Sequence, residues 1–211
     1  MNSSSSIHPP FVYLLMVVLT LAGCASMSEK ECTTADWRLI GYEDGIAGRS
    51  TLRLQAHREA CAEHGVTPVL DVYLAGHREG VLVYCRPGKV FSLAREGHTY
   101  PEICPVELEQ ELRPAYRDGA KVYQQRSRVQ KIEQRMAAKQ NEFNEIDQTL
   151  ADYQKQIIAR HTADARRLEL LAETVSLSKR QDRLEEEISA LEDRLQSRRQ
   201  QLKRMEARLQ Y

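Results

Sequence analysis

Apolar and polar positions follow three different patterns along this chain, and each predicts a different element. Residues Phe11 to Ala22 form a continuous apolar run of 12 residues. From Glu31 to Gly119 the apolar positions come in short, interrupted groups. Thr34 there suits the cap of a helix carrying Trp37, Ile40 and Ile46. A second helix, near Leu52 to His64, puts Leu54, His57 and Cys61 on one stripe and stops at Gly65. Thr67 and Pro68 suit the cap and first turn of a third, through Leu70, Tyr73 and Leu74. Val81 to Cys85, then Arg86-Pro87-Gly88-Lys89, then Val90 to Leu93 read as two short strands about a turn.

From Lys121 the pattern becomes a heptad. Val122, Val129, Met136, Phe143, Leu150 and Ile157 fall seven apart; Ile132, Ile146 and Tyr153 take the matching d positions, and Lys139 interrupts them. After Arg160 the repeat resumes in a shifted frame, with Leu170, Leu177, Leu184, Leu191 and Met205 at d and Ile188, Leu195, Leu202 and Leu209 at a. Sustained a/d heptads predict coiled coil. Ile157 to the new a position, Thr174, is 17 residues, two heptads plus three, the size of a stammer in a continuous helix. The alternative is a bend within His161 to Arg166 that folds two arms antiparallel. Equal arm lengths favour the bend; the absence of Gly and Pro favours a rod within an oligomer, and the rod is preferred here. It would reach about 135 Å over about 90 residues.

The predicted organisation is therefore mainly α. It comprises a signal segment over 1–23 and a small, disulfide-stapled, α-rich domain with a short β-hairpin over 24–119. Long coiled-coil helices follow over 120–211, with a break near 160–167. Composition agrees: 28% charged and 6% aromatic residues are too much charge and too little aromatic bulk for one globular domain of 211 residues. The apolar run is too short to span a bilayer. Zero net charge argues against a nucleic-acid partner. That zero is a cancellation, however. Residues 25–119 hold 11 basic and 15 acidic side chains, and residues 120–211 hold 19 and 15. Arg194, Arg198, Arg199, Lys203, Arg204 and Arg208 face only Glu206 near the C-terminus. They read either as solvated flanks or as a basic tip that meets an anionic envelope polymer or acidic partner.

The apolar run ends in Leu21-Ala22-Gly23-Cys24. This resembles the lipobox of bacterial lipoproteins, although MNSSSSIHPP before it has no Lys or Arg. The resemblance implies cleavage before Cys24, a thioether-linked diacylglyceryl group and acylation, for example with palmitate, on the new amine. Several acyl chains anchor firmly where one is marginal. Ala25, not Asp, follows the anchor, similar to the outer-membrane sorting pattern of Gram-negative lipoproteins. The expected address is the periplasmic face of the outer membrane.

With Cys24 lipidated, four of the five cysteines remain: Cys32, Cys61, Cys85 and Cys104. An oxidising compartment pairs them into two disulfides. Three pairings are open and sequence does not choose among them; the sequential one, Cys32–Cys61 and Cys85–Cys104, is preferred, each loop worth about 3 kcal/mol. The competing use is a metal site, because Cys61-Ala-Glu-His64 has ligand-like spacing and His77 and His98 are near in sequence. No second paired-ligand motif accompanies it, and no cofactor is expected.

A local grammar recurs in this region. Gly41-Tyr-Glu-Asp-Gly45 is echoed by Gly76-His-Arg-Glu-Gly80 and by Ala115-Tyr-Arg-Asp-Gly119. Small residues at i and i+4 let another backbone approach one helix face, with the acid pointing outward. The glycines could instead end each helix. Together with Cys32, Trp37, Cys61, Tyr73, Tyr84-Cys85 and Cys104-Pro105, the repeats resemble the domain of unknown function 2799 family of proteobacterial lipoproteins, over about residues 24–120. That resemblance supports the envelope address and implies no activity.

No nucleophile elbow, zinc-protease helix or P-loop is present. Glu43, Asp44, His57, His77 and Glu79 are the groups whose convergence in a pocket would indicate an enzyme. Trp37, Tyr42, Tyr73 and Tyr84 would line a groove in a glycan- or peptide-binding module. The expected role is non-enzymatic: membrane attachment through Cys24, contact with an envelope protein or the cell wall through the coiled coil, and homo-oligomerisation.

Overall fold

Two glycine pairs decide how the first half of this protein packs. The computed structural model describes residues 27–209 and 211; the apolar run, the LAGC motif and Cys24 lie outside the described residues. Among the described residues there are seven α-helices and no strand. They are α1 (Glu29–Thr33), α2 (Trp37–Ile46), α3 (Arg53–Ala62), α4 (Leu70–Tyr84), α5 (Pro87–Arg95), α6 (Glu109–Ile158) and α7 (Asp164–Arg208), with a 3-10 turn at Val106–Leu108. Contacts divide them into two compact units, 27–84 and 85–211. The division falls inside the 24–119 region because α6 begins at Glu109 and runs unbroken past residue 119, with α5 packed on it.

In the first unit, Ser28 and Glu31 form a capping box at the start of α1. Asp36, not Thr34, caps α2: its Oδ1 accepts from the backbone of Arg38 and Leu39 at 3.0 and 3.1 Å. Helices α2 and α4 run in the same direction and cross where Gly41 and Gly45 meet Gly76 and Gly80. A methyl group on Gly41 would collide with the Tyr73 carbonyl oxygen, one on Gly76 with that of Arg38, and one on Gly80 with that of Tyr42. The recurring small residues are therefore packing sites, not helix ends. The Cys32–Cys61 disulfide, Trp37, Leu54 and Tyr73 form the core beside this crossing.

Val81 to Tyr84 is the last turn of α4, and Val90 to Leu93 lies in α5; the expected β-hairpin is absent from the described residues. The apolar run is continuous, which suits a strand. It is nonetheless claimed by the helix, because Gly76, Gly80 and Val81 continue the buried stripe while Leu82 turns outward, 54% exposed. Pro87 occupies the first turn of α5, where its missing N–H costs nothing.

The second unit repeats the device of the first. Cys85 stands nine residues before Ala94, as Cys32 does before Gly41; Cys104 stands 15 before Gly119, as Cys61 does before Gly76. The geometry matches the spacing. A Cβ on Gly76 would meet the Arg38 carbonyl and the Tyr42 nitrogen; one on Gly119 would meet the Phe91 carbonyl and the Arg95 nitrogen, the same offsets from Ala94. The second disulfide is Cys85–Cys104. In both units a left-handed glycine ends the short helix under a tyrosine ring, Gly48 (φ 71°) under Tyr84 and Gly97 (φ 91°) under Tyr123.

Helices α6 and α7, of 50 and 45 residues, pack antiparallel. Arg126 pairs with Glu206, Glu133 with Arg199 and Glu142 with Arg180, so partners advance along one helix as they retreat along the other. Val122, Val129 and Ile146 of α6 and Leu170, Leu184 and Leu195 of α7 are buried on the heptad seam. At the interruption, Lys139 stays in the seam by pairing with Glu187.

This hairpin corrects the preference for a rod. The 17-residue shift is a turn, residues 159–163, and it needs no glycine: Ala159 and Ala163 take ordinary extended angles (φ −65°, ψ 133° and φ −63°, ψ 148°). Side chains close the helix end, with Thr162 Oγ1 donating to the Gln156 carbonyl at 2.6 Å and Arg167 to that of Ala159 at 3.0 Å. The C-terminal turns of α7 return to the start of α6, where Leu202, Met205 and Leu209 pack on Phe91, Ala115 and Val122.

Candidate functional site

The deepest polar cluster in the first unit surrounds Asp44. Trp37, Gly41, Asp44 and Gly45 fall at i, i+4, i+7 and i+8 of α2, a core-facing stripe that carries the carboxylate inward, where it is 2% exposed. Three elements supply donors to it. The Tyr73 hydroxyl (α4) donates to Oδ2 at 2.8 Å, and His57 Nε2 (α3) lies 2.9 Å from the same oxygen. The Arg49 guanidinium, from the loop after α2, donates to Oδ1 at 2.9 Å. A carboxylate acceptor makes His57 Nε2 the protonated nitrogen. His77 Nε2 donates to the Arg49 carbonyl at 2.7 Å, holding the loop from its backbone side. The rings stack around these bonds, Tyr73 on His77 at 5.9 Å and His57 edge-on to Tyr73 at 6.2 Å.

Burial by itself would raise the Asp44 carboxyl, but the hydrogen bonds from His57, Tyr73 and Arg49 hold it below its ordinary value. Burial, and then the Asp44 carboxylate, push the Tyr73 hydroxyl well above the usual tyrosine range. The cluster is an ionised acid with both oxygens occupied and a phenol that keeps its proton. Such a group ties elements together; neither member is poised to take a proton from, or attack, an outside molecule.

Of the groups expected to converge in an enzyme, the structure brings together Asp44, His57 and His77. It keeps Glu43 exposed, and it pairs Glu79 with Arg38 at 2.5 Å on the surface. Asp44 thus breaks the expectation that the acid of each repeat points outward; Glu79 keeps it. Tyr73 and Arg49 were missed as partners of Asp44; the core-facing stripe, which places residue 44 beside Gly45 and hence against α4, is a signal for Tyr73 alone.

The four aromatics expected in a binding groove are divided. Trp37 (7% exposed) and Tyr73 (0%) belong to the core, and Tyr42 and Tyr84 are half-buried. Cys61 is bonded to Cys32, so its sulfur is not available beside His64 as a thiolate ligand.

In the second unit the basic residues of α7 are not at a tip. They lie at the end of the hairpin that returns to α5, while residues 159–163 form the distal end. Arg199 pairs with Glu133, and Arg198 donates to Gln201 at 3.0 Å. Arg194 rims a shallow groove floored by Ala138, Ala190 and Leu191, and Lys203 rims another over Met136 and Leu195. Arg204 and Arg208 are exposed on the last turns of α7.

Residues 36–121 match the model of a family described as a protein of unknown function (DUF2799). Over that span the chain resembles this family, and the matched region takes in α2 to α5 and the first turns of α6, including both small-residue crossings. No curated protein and no solved structure matches the chain.

Proposed function

We propose that this protein is a lipoprotein anchored by Cys24 in the outer membrane, on the periplasmic side, with a non-enzymatic interaction role. The observation that carries the role is the two-helix arm. Beyond Gln125, α6 and α7 pack on each other for a further 33 residues to Ile158, about 50 Å at 1.5 Å per residue. An arm of this kind offers long, charged flanks along which another component can lie. The most deeply buried carboxylate, Asp44, is spent on holding its own unit together. In this reading the disulfides make the small helices durable, and the hairpin is the surface that meets other envelope components. The LAGC motif supports the address.

The anchor is tested by metabolic labelling with palmitate and fractionation of cells carrying the parent chain or Cys24→Ala. The parent is expected to take label and sediment with outer membranes, and the variant to lose label and move to the soluble periplasm. An unlabelled parent, or identical fractionation of the two, contradicts it.

A further inference from the structure

The distal end of the hairpin carries an apolar face that its own seam does not use. On α7, Leu168, Leu171 and Val175 follow i, i+3, i+7 spacing and are 69%, 48% and 56% exposed; Ile158, the last residue of α6, is 81% exposed. These are not seam positions. With Leu170 and Leu184 buried at d, Leu168 and Val175 fall at b and Leu171 at e. The pairs Arg126–Glu206 and Glu133–Arg199 join e to e, so the e and b positions of both helices lie on one flank of the hairpin, and Ile158, at b, is on it too. Nearer the base the same line on α7 becomes polar, through Asp182, Glu185 and Glu192.

The charges bounding this face are self-complementary. Asp164 lies one turn before Leu168, its side chain 97% exposed, and Lys179 lies one turn after Val175, also exposed. Consider a second α7 laid antiparallel, with the two-fold axis between Leu171 and Ala172. Leu168 then faces Val175, Leu171 faces Ala172 and Asp164 faces Lys179. No like charges oppose each other, and every contact occurs twice, as an isologous interface requires. A parallel arrangement would set Asp164 against Asp164 and Lys179 against Lys179.

We infer that this face docks a second copy of the same chain, α7 against α7 in antiparallel register over residues 164–179. The inference rests on the hairpin being the interacting surface, and it does not depend on the lipid. A patch of four large apolar residues per copy is smaller than the roughly 1,200 Å² of a tight complex. Pairing is therefore weak between dilute molecules and strengthened wherever copies are held close together.

The test is oxidative crosslinking of the full chain in the cells that make it. In Ala172→Cys the two new thiols meet beside the two-fold axis, whereas Ala137→Cys lies at the same flank nearer the base, outside the register. The parent chain controls for Cys24. The expected result is a covalent homodimer from Ala172→Cys, with a 172–172 peptide by mass spectrometry, in at least five-fold excess over Ala137→Cys. Asp164→Lys, which sets lysine against Lys179, is expected to cut the yield at least five-fold, and Asp164→Lys with Lys179→Asp to restore it. Absence of the dimer, equal yield from both positions, or indifference to the charge variants overturns the proposal. So does capture of a different protein at residue 172. A parent chain that crosslinks through Cys24 would contradict the lipid anchor instead and leave this register to be judged by the 172–172 peptide.

Discussion

Gly45 and Gly80 lie against each other so closely that a Cβ on either would come within 2.9 Å of the other's Cα. Nothing flexible separates α2 from α4 at this point, because the opposing atoms are backbone. Gly80→Ala must therefore push the helices apart, and it is expected to cost about 3 kcal/mol in urea unfolding. Gly88→Ala is the contrast. The nearest atom to its Cβ, the Tyr211 carbonyl carbon, is 3.4 Å away, so stability should stay within about 0.5 kcal/mol. Equal effects at the two positions would dismiss the crossing.

Much of this arrangement is legible in the sequence. The small residues at i and i+4 mark close helix packing, the sequential cysteine pairing is the one formed, and the heptads mark both long helices. What could not be read has physical causes. The turn at residues 159–163 uses alanines at ordinary angles and side-chain caps from Thr162 and Arg167, so it leaves no Gly or Pro signal. Val81 to Tyr84 has strand-like composition, but its place in α4 is decided by Gly80 and Gly76, one and two turns before Tyr84. The α2 stripe turns Asp44 inward, but its donors His57 and Tyr73 stand 13 and 29 residues away in the chain and leave no local signal.

The Asp44 cluster makes stability depend on pH. Its folded pKa is lowered relative to the unfolded chain, so its contribution is present at neutral pH, begins to fade as pH falls toward the ordinary carboxyl value near 4, and is lost below the folded pKa. Asp44→Asn should lower stability at pH 7 by about 2 kcal/mol, since a neutral amide replaces the charged acceptor of three donors. The variant should also unfold with a shallower loss between pH 6 and pH 3 than the parent, followed by urea titration at each pH. Parallel curves would place the acid titration elsewhere.

Each disulfide closes its own unit. Sequence separations of 29 and 19 correspond to about 3.6 and about 3.2 kcal/mol of chain entropy. Paired serine replacement at Cys32 and Cys61, or at Cys85 and Cys104, should lower the unfolding midpoint by comparable amounts. Peptide mapping without reduction should recover the 32–61 and 85–104 links. A recovered 32–85 or 61–104 link would contradict the repeated architecture.

The central claim is that α6 and α7 fold back on each other to form the arm, and the distance between residues 130 and 200 tests it most directly. Gln130 and Gln200 are both exposed and lie near the same level of the hairpin. Spin labels on cysteines at the two positions, measured by pulsed electron resonance, should be about 20–30 Å apart, the sum of a helix spacing of about 10 Å and the label arms. A continuous helix would separate them by about 105 Å, and a distribution with no population below about 50 Å would contradict the hairpin.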